Sequence, residues 1–190
     1  MTPLTLLIIR HAEKPDEAWP GPGFTENGIE DGKSLVIRGW QWAGAWAALF
    51  GAGLGGADYP RPDMIYAAQP GGPGQENHGP SRRPAETVSA LALRLGLPLK
   101  TGFALSQEAD LMAEVLGLSG VVLISWEHHA IVRDVVPRIP VDHGSPPTQW
   151  PGDRFDVVLR FDRAEGASKF AYHPLYPRLL SGDSHTALDG

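Results

Sequence analysis

Three groups of residues in this chain have the types and placement to handle an anion together. Arg10-His11 closes a short apolar run, Leu4 to Ile9, with Ala12, Glu13, Lys14 and Pro15 behind it. A guanidinium offers a planar fork of donors that matches phosphate oxygens, and a neutral imidazole is a nucleophile or base near neutral pH. Ser81-Arg82-Arg83-Pro84-Ala85-Glu86-Thr87 sets Arg83 immediately before a helix, where the N-terminal dipole also favours anions. His128 follows a third apolar run, Val121 to Ser125, through Trp126 and Glu127, with His129 beside it. Taken one at a time, these are compatible with a surface turn, solvated arginines and a core histidine. Taken together, they offer two arginines and two histidines that could hold a phosphate.

The elements that must position these groups are legible from periodicity. Leu4 to Ile9 is continuous and apolar, as a strand buried on both faces of a parallel sheet would be. His11 to Ser34 is rich in Gly, Pro and acidic residues and reads as a loop. Trp42, Trp46 and Phe50 recur every four residues and predict a helix from about Gly39 to Phe50. Asp63 to Ala68 is a second strand, and Gln69 to Ser81 a polar Gly/Pro-rich loop. Pro84 opens a helix carrying Val88, Leu91, Ala92 and Leu95 on one face, stopped at Gly96. Pro98 to Phe103 predicts a short strand, Gln107 to Leu116 a helix, Val121 to Ser125 a β-branched strand and about Ala130 to Val136 a further helix. Phe155, Val157, Leu159 and Phe161 alternate with polar residues, which predicts an edge strand with one wet face. Alternating strands and helices imply an α/β three-layer sandwich with a mainly parallel central sheet, binding ligands beyond the carboxyl ends of its strands.

Length and composition set the outer limits. The 190 residues, 42% hydrophobic, suit one domain spanning 1–190, with an irregular C-terminal tail from about 181. Lys and Arg number 16 against 22 Asp and Glu, a net charge of -6, so no basic field exists to hold a nucleic acid. Cysteine is absent, which removes disulfides and thiolate metal sites. No stretch approaches the roughly 20 apolar residues of a membrane span, so a soluble cytoplasmic protein without membrane partners is expected. Oligomeric state is not readable.

The order of the motifs resembles the histidine phosphatase superfamily, the phosphoglycerate mutase-like proteins, in its first branch. Arg10-His11-Ala12 is similar to that family's Arg-His-Gly motif, with Ala12 in place of glycine. Leu35 to Ala43 resembles the entry to its first helix. Tyr66-Ala67-Ala68 stands where a Ser-Ser-Pro segment is usual, and Arg83-Pro84-Ala85-Glu86-Thr87 resembles its Arg-Ala-x-x-Thr motif. Leu123 to His128 resembles the strand that ends in its second catalytic histidine. The likeness spans about residues 4 to 162. It implies a phosphatase without cofactor or metal, acting on a small phosphorylated substrate or a phosphoprotein. His11 would be the nucleophile, and Arg10, Arg83 and protonated His128 would hold the phosphate.

The resemblance also implies a carboxylic acid that protonates the leaving oxygen, and Glu108 has the family's place in the order. Glu127 is the rival, although strand alternation would turn it to the opposite face. Glu13 is a further candidate donor that reads as a partner of the motif or a loop residue, and Trp126 reads as a residue lining the site. Ala12 would be strained if its position needed positive φ. Three alternatives stand beside this reading: a non-catalytic phosphate-binding or scaffold member of the fold, a phosphomutase, and a metal-dependent hydrolase using His128, His129 and His143. The loop over residues 69–82 is expected to shape access.

Overall fold

A computed structural model describes residues 1–72 and 74–188. The last two residues of the predicted tail, 189 and 190, and position 73 of the 69–82 loop lie outside the described residues. The elements run β1 (Leu4–Arg10), α1 (Ile37–Gly51), β2 (Met64–Ala67), α2 (Arg83–Leu95), β3 (Leu99–Lys100), α3 (Glu108–Val115), β4 (Gly120–Trp126), α4 (His128–Ala130), β5 (Val141–His143), β6 (Val158–Arg163) and β7 (Phe170–Leu175). After α4 the helical path continues as one π turn, Ile131–Val135, and one 3-10 turn, Val136–Arg138.

The strands of the described residues form one sheet in the order β3-β2-β4-β1-β6-β7-β5. Neighbours from β3 to β1 are parallel, β6 is antiparallel to both β1 and β7, and β5 is parallel to β7. The expected mainly parallel α/β/α sandwich is what the chain forms. Alternation along β1 feeds both layers. Leu7 and Ile9 join Trp42, Trp46, Phe50, Val88 and Leu91 beneath α1 and α2. Leu6 and Ile8 join Leu111, Met112, Val115, Ile131 and Val135 beneath α3 and the π turn. Burying large apolar side chains on both faces supplies the main driving force, about 1.5–3 kcal/mol for each fully buried one. The Trp42, Trp46 and Phe50 rings stack in series, with centroids 4.7 and 5.7 Å apart. Gly96 ends α2 in the left-handed region at φ 66, as the stop signal predicts.

One expectation fails in an informative way. The alternating strand lies not at the sheet edge but between β1 and β7, and begins at Val158 rather than Phe155. Its polar face is covered. Arg160 donates to Asp162 and to the carbonyls of Ala57 and Asp58 at 2.6 and 2.9 Å, while Thr5 donates to Asp162 at 2.7 Å. A polar face satisfied by protein partners has the same alternation in sequence as one satisfied by water. Beyond it lie β7 and the edge strand β5, neither of which carries a clear period.

Residues 181–188 lack regular structure and are fastened to the body. Arg38 donates to Ser181 O at 2.7 Å and to Asp183 at 3.2 Å, Ser184 N–H donates to Asp156 at 3.0 Å, and Leu188 N–H to the Tyr176 hydroxyl at 3.0 Å.

Candidate active site

Parallel strands β4 and β1 end side by side, with Arg10 opposite Trp126, and His11 N–H extends the ladder to Trp126 O at 2.9 Å. The chain therefore delivers Arg10 and His11 to the carboxyl edge of the sheet, where β4 also delivers His128 two residues beyond its end.

Arg10 is 1% exposed. Its Nη1 donates to three carbonyls, Pro151 at 3.3 Å, Gly152 at 2.7 Å and Arg154 at 3.1 Å. The guanidinium lies over the Phe155 ring, 3.8 Å from its centroid. Its Nε and Nη2 are buried and have no partner among the described residues. Those two N–H groups are the side-on pair of the fork, parallel donors spaced for two oxygens of one oxyanion. Burial lowers the guanidinium to a pKa of about 10, partly offset by Glu127, Glu13, Asp153 and Asp16, and it stays charged at neutral pH.

His11 is 5% exposed, with its ring 6.5 Å from that of Phe155. Nδ1 lies 2.8 Å from its neighbour's carbonyl, Ala12 O. A carbonyl only accepts, so Nδ1 carries the hydrogen and Nε2 holds the free lone pair. Burial holds the pKa down to about 3, and the charges of Arg10, Arg83 and His128 push in the same direction against the Ala12 carbonyl. The imidazole is neutral throughout the physiological range. Ala12 itself is buried, and it is absent from the described non-glycine residues with positive φ, which are Asn77, Ser106 and Arg178. The methyl group brings no backbone strain. Ala12 N–H donates to Thr87 Oγ1 at 2.8 Å, and Thr87 Oγ1 donates to Arg83 O at 2.7 Å, tying the two motifs together.

Arg83 is the first residue of α2 rather than the residue before it. Its guanidinium, half-buried, is held by the preceding loop: Nε donates to Ser34 O at 3.2 Å and Nη2 to Gly32 O. Burial lowers its pKa, opposed by Glu86 and Asp31. That loop is fixed by Asp31, fully buried, which accepts from Ser34 Oγ and the N–H groups of Lys33 and Asn77 and pairs with Arg82 at 3.0 Å. Glu86 closes it by accepting from Leu35 N–H, with its other oxygen 2.7 Å from Ser34 Oγ. Asn77 belongs to the 69–82 loop, so this loop braces the Arg83 side of the site.

His128 is 7% exposed and its ring lies 3.9 Å from that of His129. Its Nδ1 sits 2.7 Å from Glu127 Oε1, off the line of a good hydrogen bond. Burial lowers the His128 pKa and Glu127 opposes this, leaving it below the ordinary value. Glu127 corrects the expectation that strand alternation turns it away. β4 ends at Trp126, and Glu127 caps the next turn through Ala130 N–H at 2.8 Å, so alternation no longer governs its direction. Burial raises the Glu127 pKa, but the His128 contact and the N–H groups of His129 and Ala130 outweigh it and bring it to about 2.

Glu108 is 3% exposed at the first turn of α3, accepting from Trp126 Nε1 at 2.9 Å and Ser106 N–H at 3.1 Å. Trp126 does not line the site as expected. It is fully buried beneath α3 because its side of β4 is the core side. Glu13, also 3% exposed, contacts Arg38 at 3.5 Å and borders a cavity of ≈ 490 Å³ with Trp42, Asp153 and Asp183. Burial pushes Glu13 up to about 7 against Arg38. Sequence reasoning missed Phe155 and the Pro151–Arg154 carbonyls. Backbone acceptors carry no residue-type signal, and Phe155 was absorbed into the strand pattern.

For a metal, Glu127, His128 and His129 place their ligand atoms within 4.8 Å of one another among the described residues. His143 is not in that group and ends β5 at the sheet's far edge.

No family model and no curated protein matches this sequence. Among solved structures, the chain is similar to a mycobacterial glucosyl-3-phosphoglycerate phosphatase at 12% identity and a TM-score of 0.47, covering 90% of this chain and 97% of that one. It is also similar to a mycobacterial hydrolase at 12% identity and a TM-score of 0.43, covering 90% and 96%. At that distance the chemistry has to be read from this chain's own side chains. Among the described residues, no helix is long and apolar enough to cross a membrane.

Proposed function

We propose that the chain is a histidine phosphatase that hydrolyses a phosphate monoester, free or on a protein, through a phosphohistidine on His11, without a metal, in the cytoplasm. The observation that carries the reading is the pairing of a neutral, tautomer-fixed imidazole with a buried guanidinium whose side-on fork is unused. An unmet pair of buried N–H donors is costly, and an oxyanion relieves that cost.

The phosphate is seated on Arg10 Nε and Nη2, with Arg83 and His128 supplying further positive charge. The incoming dianion favours protonation of His128, whose ion pair with Glu127 supports the charged form. His11 Nε2 attacks phosphorus, forming the N–P bond as the bond to the leaving oxygen breaks. The Ala12 carbonyl stabilises the charge that develops on the ring at Nδ1–H. Glu108 delivers the proton to the leaving oxygen. Water then attacks the phosphohistidine, its proton returning to the same carboxylate, and phosphate departs. The two arginines do the electrostatic work that a metal ion does elsewhere.

The test is release of inorganic phosphate from p-nitrophenyl phosphate and a panel of small phosphate esters in EDTA, for wild type and His11→Ala. EDTA-resistant turnover that falls about 10⁴-fold or more in the variant is expected for loss of a nucleophile. Turnover abolished by EDTA would replace this mechanism with metal chemistry at the Glu127, His128 and His129 group. Folded protein inert on the whole panel would reduce the function to phosphate binding.

A further inference from the structure

The C-terminal segment Ser181–Leu188 and the segment Pro151–Asp156 face each other across the ≈ 490 Å³ cavity. The C-terminal segment is held to the body by polar contacts as well as by Leu188, which packs against the core. The first is Asp156, 3% exposed, which accepts from Ser184 N–H at 3.0 Å through Oδ2. The same carboxylate takes Arg154 Nε at 2.8 Å and Nη2 at 3.4 Å. The second is Asp183, which pairs with Arg38 while also accepting from Leu180 N–H at 2.7 Å. Arg38 in turn contacts Glu13, three residues after Arg10.

What this clamp holds is the backbone of the catalytic region. Arg154 O accepts from both Arg10 Nη1 at 3.1 Å and Trp150 Nε1 at 2.9 Å, and Gly152 and Pro151 supply the other two carbonyls on Nη1. Pro151–Val157 belongs to no strand or helix, so no ladder fixes those three carbonyls in place. A guanidinium is planar: fixing Nη1 fixes the direction of Nε and Nη2. An Arg10 oriented by carboxylates would be neutralised by them, whereas one oriented by carbonyls keeps its full charge for the ligand.

We propose that Asp156 and the C-terminal strap it anchors are positioning elements for Arg10. They clamp the Pro151–Arg154 carbonyls so that the free fork of the guanidinium is aimed at a phosphate. The proposal rests on the phosphate-binding reading of the site and adds to it a distal determinant more than 140 residues away in sequence. The strap touches no substrate. Its effect reaches the site only through the orientation of Arg10.

The experiment is a double-mutant cycle on the full chain, read as the Kd for inorganic phosphate by NMR titration, a measurement independent of turnover. Ser184→Pro deletes the one N–H that the strap gives Asp156, and Asp183→Asn weakens the second fastening. Ser184→Pro is expected to raise Kd about tenfold, the cost of one displaced charge-assisted hydrogen bond, with Asp183→Asn moving it less in the same direction. In an Arg10→Ala background, both are expected to change Kd less than about twofold, because the group they orient is gone. The same factor in both backgrounds, or no effect in either, would overturn the proposal. If Ser184→Pro lowers the melting temperature, the Asp183→Asn cycle decides the matter alone. Wild type that binds no phosphate sinks the functional reading itself. Wild type that binds while the strap variants match it sinks only the strap.

Discussion

The two loops that hold the two arginines solve the same problem differently. Pro151–Arg154 presents three carbonyls to a single nitrogen of Arg10 and leaves the side-on fork buried and empty. The Gly32–Ser34 loop takes Nε and Nη2 of Arg83, the side-on fork itself, and leaves that guanidinium half-exposed. On the proposed function, Arg10 is thus preorganised for an oxyanion, while Arg83 would exchange a loop carbonyl for one or offer its remaining N–H groups. A preorganised donor in a buried site contributes more to transition-state stabilisation than one that must rearrange.

The sharpest break of this comparison is substitution of the arginines themselves. Arg10→Ala is expected to lower kcat/KM roughly 10³-fold, and Arg83→Ala only about 10- to 10²-fold, in steady-state assays on p-nitrophenyl phosphate. Equal losses would show that the free fork confers no advantage. Next comes the brace of the Arg83 loop. Asp31→Ala removes a fully buried carboxylate and orphans several donors, so urea denaturation should show a loss of about 3 kcal/mol. KM should rise with little change in kcat, since only the less organised arginine is disturbed.

The smallest effect concerns Glu13, which contacts Arg38 and borders the cavity beside Pro151 and Asp153. Its folded pKa is raised from the ordinary value of 4.5 to about 7. The stability it contributes is therefore fully present below about pH 4.5 and is lost as pH rises through about 7. Glu13→Gln removes this term, so between pH 5 and 8 the stability difference should shift towards the variant by about 2 kcal/mol. Denaturation midpoints at the two pH values measure it, and a pH-independent difference would show that Glu13 is ionised at both. His11 acts oppositely. Its depressed pKa contributes stability above about pH 6.5 that is lost as pH falls towards 3, and the Nδ1–H tautomer should persist in NMR spectra down to about pH 4.

Much of this architecture was legible in the chain because periodicity is local. The apolar run Leu4 to Ile9, the four-residue spacing of Trp42, Trp46 and Phe50, and the Pro84 to Gly96 punctuation each record which face an element buries, and the structure follows them. Alternation at Phe155 to Phe161 marked a strand but not its neighbours, since Arg160 and Asp162 find partners from β1 and from the Ala57–Asp58 turn. β7 was unread because Pro174 and a mixed pattern obscure its period, and its place is set by pairing with β6. Glu127 was misdirected because alternation was carried past the end of its strand.

The sequence by itself singled out Arg10, His11, Arg83 and His128 by residue type and placement, with the strands that deliver three of them to one edge of a sheet and the helix that carries Arg83. Only the tertiary structure decided how those groups are tuned. The tautomer of His11 depends on how the local backbone turns the Ala12 carbonyl, and the free fork of Arg10 and the anchoring of Glu108 under Trp126 depend on carbonyls and an indole N–H brought from distant segments. Every residue carries a backbone carbonyl, so its role is a matter of position in space and leaves no mark in the order of side chains.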